Sequence, residues 1–130
     1  MKEVYEFLQK CGTFYLATMD GDQPRVRPFG AIDVFEDKLY IETGKVKNVS
    51  KQMMANPKIE ISGMADGKWI RIEAVAVEDD RIEVRHHMLN AYPMLQGMYK
   101  ADDGNMQVLY LKNAMATISS FSEKPVVINF

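Results

Sequence analysis

Arg25 and Arg27 in the stretch Gln23 to Pro57, and the pair Lys47-Asn48 further along it, are the residues whose types and spacing could do chemistry. Alternate side chains of an extended strand share a face, so Arg25, Arg27 and Phe29 point one way and Val26, Pro28 and Ile32 the other. Two cations side by side on one strand face repel each other unless something negative lies across them. Lys47 and Asn48 stand where a helical period begins, at an end whose first backbone N–H groups lack partners and which carries the positive end of the dipole. The chemistry implied is capture of an anion, phosphate above all. The dipole supplies only ~0.3–1 kcal/mol at an exposed site, so the cations must carry most of the affinity. A plainer reading fits the same residues: Arg25 and Arg27 as solvated charges on an edge strand, and Lys47-Asn48 as an ordinary helix cap.

These residues need a scaffold, and the pattern supplies one. Gln23 to Val34 reads as a strand, Glu36-Asp37 as a tight turn, and Lys38 to Thr43 as a second strand in which Leu39 and Ile41 alternate with Tyr40 and Glu42. Val46, Val49 and Met53 then fall at helical spacing, with Asn48 at or near the N-cap and Asn56-Pro57 closing the helix. Upstream, Val4, Phe7 and Leu8 give a short amphipathic helix over Lys2 to Lys10, ended by Gly12 and placed to plug one end of a barrel. Thr13 to Met19 is a strand returned by Asp20-Gly21-Asp22, so three consecutive antiparallel strands precede the first internal helix.

Downstream, Lys58 to Met64 and Lys68 to Glu78 form a hairpin around Ala65-Asp66-Gly67. Ile70, Ile72, Ala74 and Ala76 face its core, whereas Trp69, Arg71, Glu73 and Val75 face solvent, a ligand or another subunit. Asp80 and Glu83 have the spacing of a capping box, opening a helix that Pro93 interrupts. Asn90 to Asn105 has no clean period and reads either as a lid or as a plain surface connection. Met106 to Ser120 is a long strand bent near Asn113, and Val126 to Phe130 a terminal one. The total is six or seven strands with two or three helices, a mainly β, antiparallel arrangement in a single domain over residues 1–130.

Composition narrows the partners. Sixteen basic against eighteen acidic side chains leave a net charge of −2, so no global field favours nucleic acid or membrane lipid, and anion binding must be local. An oligonucleotide-binding barrel would need a basic groove with exposed aromatics, which this balance opposes. No apolar run approaches the ~18 residues of a membrane span. A single cysteine, Cys11, and an N-terminus without an apolar signal segment lead to the expectation of a cytoplasmic, reducing environment.

The other reactive residue types give less. Cys11 has no evident base nearby and ends a helix, which favours a structural role. His86 and His87, neighbours on a helix, diverge by about 100° and do not readily chelate together. His86 would share a stripe with Ile82 and Leu89 as a half-buried, hydrogen-bonded side chain. The ten methionines fit adaptable packing, with an apolar ligand wall as the alternative. No nucleophile elbow, P-loop or dinucleotide glycine motif is present, and the carboxylates are unclustered. Such a chain has little acid–base machinery of its own, which fits a protein whose reactivity is lent by a cofactor.

Taken in order, Pro24-Arg25-Val26-Arg27-Pro28, Tyr40-Ile41-Glu42-Thr43, Lys47-Asn48 with Lys51-Gln52, Asn56-Pro57, and Trp69-Ile70-Arg71 with Glu73-Ala74-Val75-Ala76 resemble the FMN-binding split barrels of the pyridoxamine 5'-phosphate oxidase superfamily. The resemblance spans nearly the whole chain and is nearest to the small proteins similar to nitroimidazole-resistance proteins. It implies a six-stranded antiparallel split β-barrel of Greek-key type with short flanking helices. It further implies FMN at the interface of a homodimer.

On that resemblance Arg25 and Arg27 match the arginine-bearing strand, with Arg27 at the phosphate or ribityl chain, and the backbone of Pro28 and Phe29 lies along the isoalloxazine ring. Thr43 matches a hydroxyl near the phosphate, Lys47 and Asn48 the loop closing over it, and Trp69 and Arg71 the positions that reach the flavin from the neighbouring subunit. The larger oxidases carry Ser-Arg-Lys where this chain has Lys47-Asn48-Val49, and their C-terminal Arg-x-His segment has no match in the ending KPVVINF. The expectation is therefore a homodimeric FMN oxidoreductase that passes electrons from a nicotinamide donor to a small oxidised acceptor such as a nitroaromatic. It is not expected to be a true pyridoxamine 5'-phosphate oxidase. The alternative keeps the barrel without turnover, holding flavin or haem.

Overall fold

The computed structural model describes residues 1–130. In chain order the elements are α1 (Lys2–Cys11), β1 (Phe14–Asp20), β2 (Gln23–Phe29), β3 (Ile32–Phe35), β4 (Lys38–Gly44), α2 (Asn48–Ala55), β5 (Lys58–Ala65), β6 (Lys68–Glu78), α3 (Ile82–Ala91), a 3-10 turn (Pro93–Gly97), β7 (Met106–Ser119) and β8 (Val126–Asn129). The strands form one antiparallel sheet in the order β2-β1-β5-β6-β7-β4-β3, with β8 added on β7. The two ends of that path, β2 and β3, are separated in the chain only by Gly30 and Ala31. The sheet thus wraps into a barrel closed by covalent chain rather than by a hydrogen-bonded ladder.

The mainly β expectation holds, and the extra strand has a simple origin. Gln23 to Val34 is not one strand: β2 pairs only with β1, while β3 pairs only with β4, so the chain must leave one partner for the other at Gly30-Ala31. Each hairpin turn is built from residues that tolerate a left-handed backbone. Glu36-Asp37 (φ 49° and 60°) and Asp66-Gly67 (φ 53° and 73°) both have the two positive φ angles whose twist matches the flanking strands. Asn113, also at positive φ, lies where the β6–β7 register shifts, and this bulge is the bend expected in the long strand.

Two clusters of apolar side chains result. The barrel interior holds Phe14, Leu16, Leu39, Ile41, Ile61, Ile70 and Ile72, closed at one end by Val4 and Leu8 of α1. A second cluster outside it joins Tyr40 and Val108 to Val84, Met88 and Leu89 of α3 and to Leu95 and Tyr99. Strand β4 separates the two and is buried on both faces, with Leu39 and Ile41 inward and Tyr40 outward. Helix α2 rests on β1 and β4, and α1 on β5 and β3.

Helix ends depart from expectation. Lys47, not Asn48, is the N-cap of α2; no side chain caps that helix, and Val46 lies outside it and exposed. The Asp80/Glu83 capping box does not form either: Arg81 is the N-cap of α3, its N–H is taken by Asp79 Oδ1, and Asp80 pairs with Arg85. Two stronger acceptors for arginine on the same short segment outcompete the cap. His86 is exposed, and His87 is the hydrogen-bonded histidine, with Nδ1 2.6 Å from Oδ2 of buried Asp33.

Helix α1 is seated on a glycine. A methyl at Gly63 would stand 2.9 Å from Cys11 Sγ and 3.4 Å from Phe14 Cβ, so β5 has no room for a side chain there. Gly63→Ala is expected to lower the unfolding free energy by about 1–3 kcal/mol. A urea midpoint that falls at unchanged slope would show it. Combined with Cys11→Ala, the loss should be smaller than the sum of the single effects, because the obstructing sulfur is gone; strict additivity would show that α1 is not held at this contact.

Candidate functional site

Where the barrel is closed only by Gly30-Ala31, a cavity of about 480 Å³ opens. Its floor is the chain crossing itself, Arg27 to Ala31. Glu42 and Thr43 at the end of β4, with Lys47 and Val49 at the start of α2, form one wall. Tyr92, Met94, Leu95, Met98 and Tyr99, from the segment Asn90 to Asn105, form the other.

Arg27 is the organising side chain. Its guanidinium donates to Thr18 Oγ1 (2.7 Å), to Gln52 Oε1 (2.7 Å) and to the Leu16 carbonyl (3.2 Å), and Thr18 Oγ1 itself donates to Gln52 Oε1 (2.6 Å). This triangle ties β1, β2 and α2 together through neutral acceptors alone. Of the five arginines, the other four each meet a carboxylate: Arg25 with Asp20, Arg71 with Glu60, Arg81 with Glu36 and Asp79, Arg85 with Asp80. Arg27 alone carries an uncompensated charge, and burial, then nearby Arg25, push its pKa below the usual arginine value. Lys47, on the same cavity wall, has no carboxylate partner either.

The loop carrying Lys47 is held in place from β7's side. Asn105 accepts the Val46 N–H through Oδ1 (3.1 Å), and its carbonyl accepts the Lys45 N–H (2.7 Å). Ser50 Oγ donates to Gln107 Oε1 (2.5 Å) beneath the helix. Gly44 has Tyr99 Oη and the Asn105 amide about it so closely that a Cβ would lie 3.0–3.2 Å from them. The start of α2, uncapped by any side chain, is therefore fixed against the cavity.

Five of the nine residues expected at the site meet here: Arg27, Pro28, Phe29, Thr43 and Lys47. Asn48 is adjacent, as the first residue of α2, but is not part of the cavity wall. Arg25 is not the free cation that its spacing implies, because the β1–β2 turn brings Asp20 to 3.2 Å from it. Trp69 and Arg71 lie away from the cavity within this chain. Trp69 packs on Phe121 (5.1 Å between ring centroids), and Arg71 pairs with Glu60 on the outer face of the sheet. A second hollow of about 470 Å³ on that outer side has Glu60 and Glu73 against a single Lys58, a balance unsuited to an anion.

Type and spacing do not single out Glu42. It is only 8% exposed, forms no side-chain hydrogen bond, and its Oε1 is the one buried side-chain polar atom without a partner. Burial pushes its pKa up to about 7, with Lys47 lowering it and Asp103 raising it. A carboxyl raised in this way stabilises the fold below its ordinary value near 4.5, and that contribution is lost as pH rises through 7. The alternation of β4 predicts a polar face at Glu42, but the wall of Tyr99 and Lys47 that buries it comes from elsewhere in the chain.

Comparison with known proteins agrees with this architecture. The family model described as pyridoxamine 5'-phosphate oxidase matches residues 1–117. A NimC/NimA family protein from Clostridium acetobutylicum is 49% identical over 100% of this chain and 92% of its own, with a TM-score of 0.98. General stress protein 26 of Bacillus anthracis is 15% identical, covering 99% of this chain and 97% of its own, at a TM-score of 0.76. A haem storage protein of Vibrio cholerae is 19% identical over 85% of this chain and 87% of its own, at a TM-score of 0.67. These last two likenesses concern the fold alone. No curated protein matches the sequence. The family model covering most of the chain and the near-complete overlap with a NimC/NimA protein carry one conclusion: this chain belongs to the pyridoxamine 5'-phosphate oxidase family, in the branch that resembles nitroimidazole-resistance proteins.

Proposed function

We propose that the protein binds FMN in the cavity at the barrel's split and is an oxidoreductase acting on a small oxidised acceptor. The observation that carries this reading is Arg27, the one arginine without a carboxylate, lining a cavity together with unpaired Lys47. An elongated ligand with a phosphate at one end and an apolar ring system at the other suits such walls. The volume lies within the range of small-molecule sites, roughly 300–1,000 Å³.

The residues present fit the group. Arg27, Lys47 and the uncapped first turn of α2 would hold the phosphate, with Thr43 as a neutral donor beside them. The backbone from Pro28 to Ala31 would lie along the ring, and Met94, Leu95 and Met98 would exclude water from its face. Bound flavin supplies the two-electron chemistry that these side chains lack. Haem is the weaker reading, since the cavity wall presents no histidine.

Trp69 and Arg71 enter through a homodimer. The outer face of the sheet exposes Tyr15 (50%) and Met64 (67%), with Met64 directly opposite Trp69 in the β5–β6 register and Ser62 linking Tyr15 to Arg71. A second copy covering this face would bury the apolar side chains and bring Trp69 and Arg71 towards its partner's cavity.

Absorption spectra after adding FMN and desalting test the cofactor. The parent protein should retain flavin near one per chain, and Arg27→Ala and Lys47→Ala should each weaken binding by about 10- to 100-fold, the scale of one hydrogen bond to a charged group. A parent protein that retains no flavin, or variants that retain it fully, would refute the site. Reduction of the bound flavin by a nicotinamide donor and reoxidation by a nitroaromatic separates an enzyme from a carrier. For the dimer, sedimentation should give twice the chain mass for the parent and a monomer for Met64→Glu; a monomeric parent protein would end that part of the reading.

A further inference from the structure

Glu42 is the one carboxyl of the cavity wall, and phosphate binding leaves it without a task. An unpartnered buried carboxylate is expensive, and in the neutral form it becomes a hydrogen-bond donor in need of an acceptor. Everything facing it bears on that choice. Lys47 from α2 favours the ion; Asp103, from the loop after the 3-10 turn, opposes it, and so does burial, the largest effect. Arg27, Tyr92 and Tyr99 complete the charged and titratable groups of the cavity.

We infer that Glu42 is a ligand-contacting residue that works as the neutral acid, donating its O–H to a phosphate oxygen of the ligand while Arg27 and Lys47 carry the charge. The inference rests on the cavity being a phosphate site and goes beyond it by assigning a further contact and its protonation state. A bound phosphate beside Glu42 disfavours the carboxylate further, so ligand and proton bind together. An ionised Glu42 has the opposite effect: it repels the phosphate and occupies Lys47. The sign follows directly. Affinity is greatest while Glu42 is neutral and falls as pH rises above about 7, where the ligand-free carboxyl loses its proton. The second ionisation of the phosphate, near pH 6, is nearly complete at the start of that window, and what remains of it would raise affinity with pH, opposite to the expected trend.

The test is FMN binding, followed by quenching of flavin fluorescence from about pH 6.5 to about pH 9, with riboflavin as the phosphate-free probe. The dissociation constant for FMN should rise by up to about tenfold per pH unit above 7, as expected for one linked proton. Riboflavin should show no such trend. Glu42→Gln, which keeps a donor but cannot ionise, should bind FMN with pH-independent affinity. Calorimetry of the unmodified protein in phosphate-free buffers of different ionisation enthalpy should show uptake approaching one proton per FMN near pH 8. This measurement needs no variant to fold. FMN affinity that is flat with pH in the unmodified protein, or no proton uptake, overturns the role of Glu42 while leaving the flavin site standing. Absence of FMN binding at every pH overturns both.

Discussion

The barrel is closed by two residues of chain where a ladder of hydrogen bonds would otherwise run, and most of the architecture follows from that constraint. Pro24 and Pro28 lie four residues apart on β2, so their missing N–H groups fall on the same side of the strand. The opposite side pairs with β1 without interruption from Gln23 to Phe29. A strand so built can only be an edge, and no strand could be added on its proline side. β3, two residues later, pairs on to β4 at the other end of the sheet. The two edges face each other across a gap that hydrogen bonds do not fill. The cavity lies at this crossing: its floor is the connection itself, and its walls come from the end of β4, the start of α2 and Tyr92 to Tyr99.

Where the ladder is missing, side chains fasten each edge to the segments beside it. On one side Arg27 bridges β1, β2 and α2; on the other Tyr92 Oη donates to the Ile32 carbonyl (2.9 Å) and accepts from the Ile32 N–H (3.1 Å). The second bridge satisfies both backbone groups of the first residue of β3 with one hydroxyl. Each clamp comes from a segment that also walls the cavity. Farther out, Asp79 accepts from Tyr40 (2.7 Å) and Arg81, which holds its carboxyl below the usual carboxylate range and fixes the start of α3. Helix α3 in turn carries Tyr92 at its end.

Local patterns made the strands, the two-residue turns and the bend at Asn113 legible, because each depends on residues adjacent in sequence. What was not legible depends on meetings between distant segments. Arg25 and Arg27 have the same type and strand face, yet the hairpin gives one of them Asp20 and leaves the other with neutral partners from α2. Tyr40 and Glu42 alternate with Leu39 and Ile41 as a solvent-facing pair would, but α3 and the 3-10 segment bury that face too. His86 and His87 differ in the same way, since only the second finds Asp33. Five of the cavity-lining residues are among those expected, Pro28, Phe29 and Thr43 through the family resemblance alone, whereas Glu42 is not. Its significance lies in lacking a partner, and a sequence does not display missing partners.

A fold shared with a haem storage protein cannot by itself decide what this chain binds, so the decision rests on the side chains around the split. There the balance is two unpaired cations against one carboxyl whose pKa burial raises to about 7. A neutral planar ligand would leave partly buried Arg27 without counter-charge. A small anion alone would satisfy the two cations but leave the apolar surface of Met94 and Met98 facing water. Only a ligand carrying both features removes both costs. On the proposed reading, selection is by combination: an anionic end for Arg27 and Lys47, and an apolar body for the methionines on the far wall.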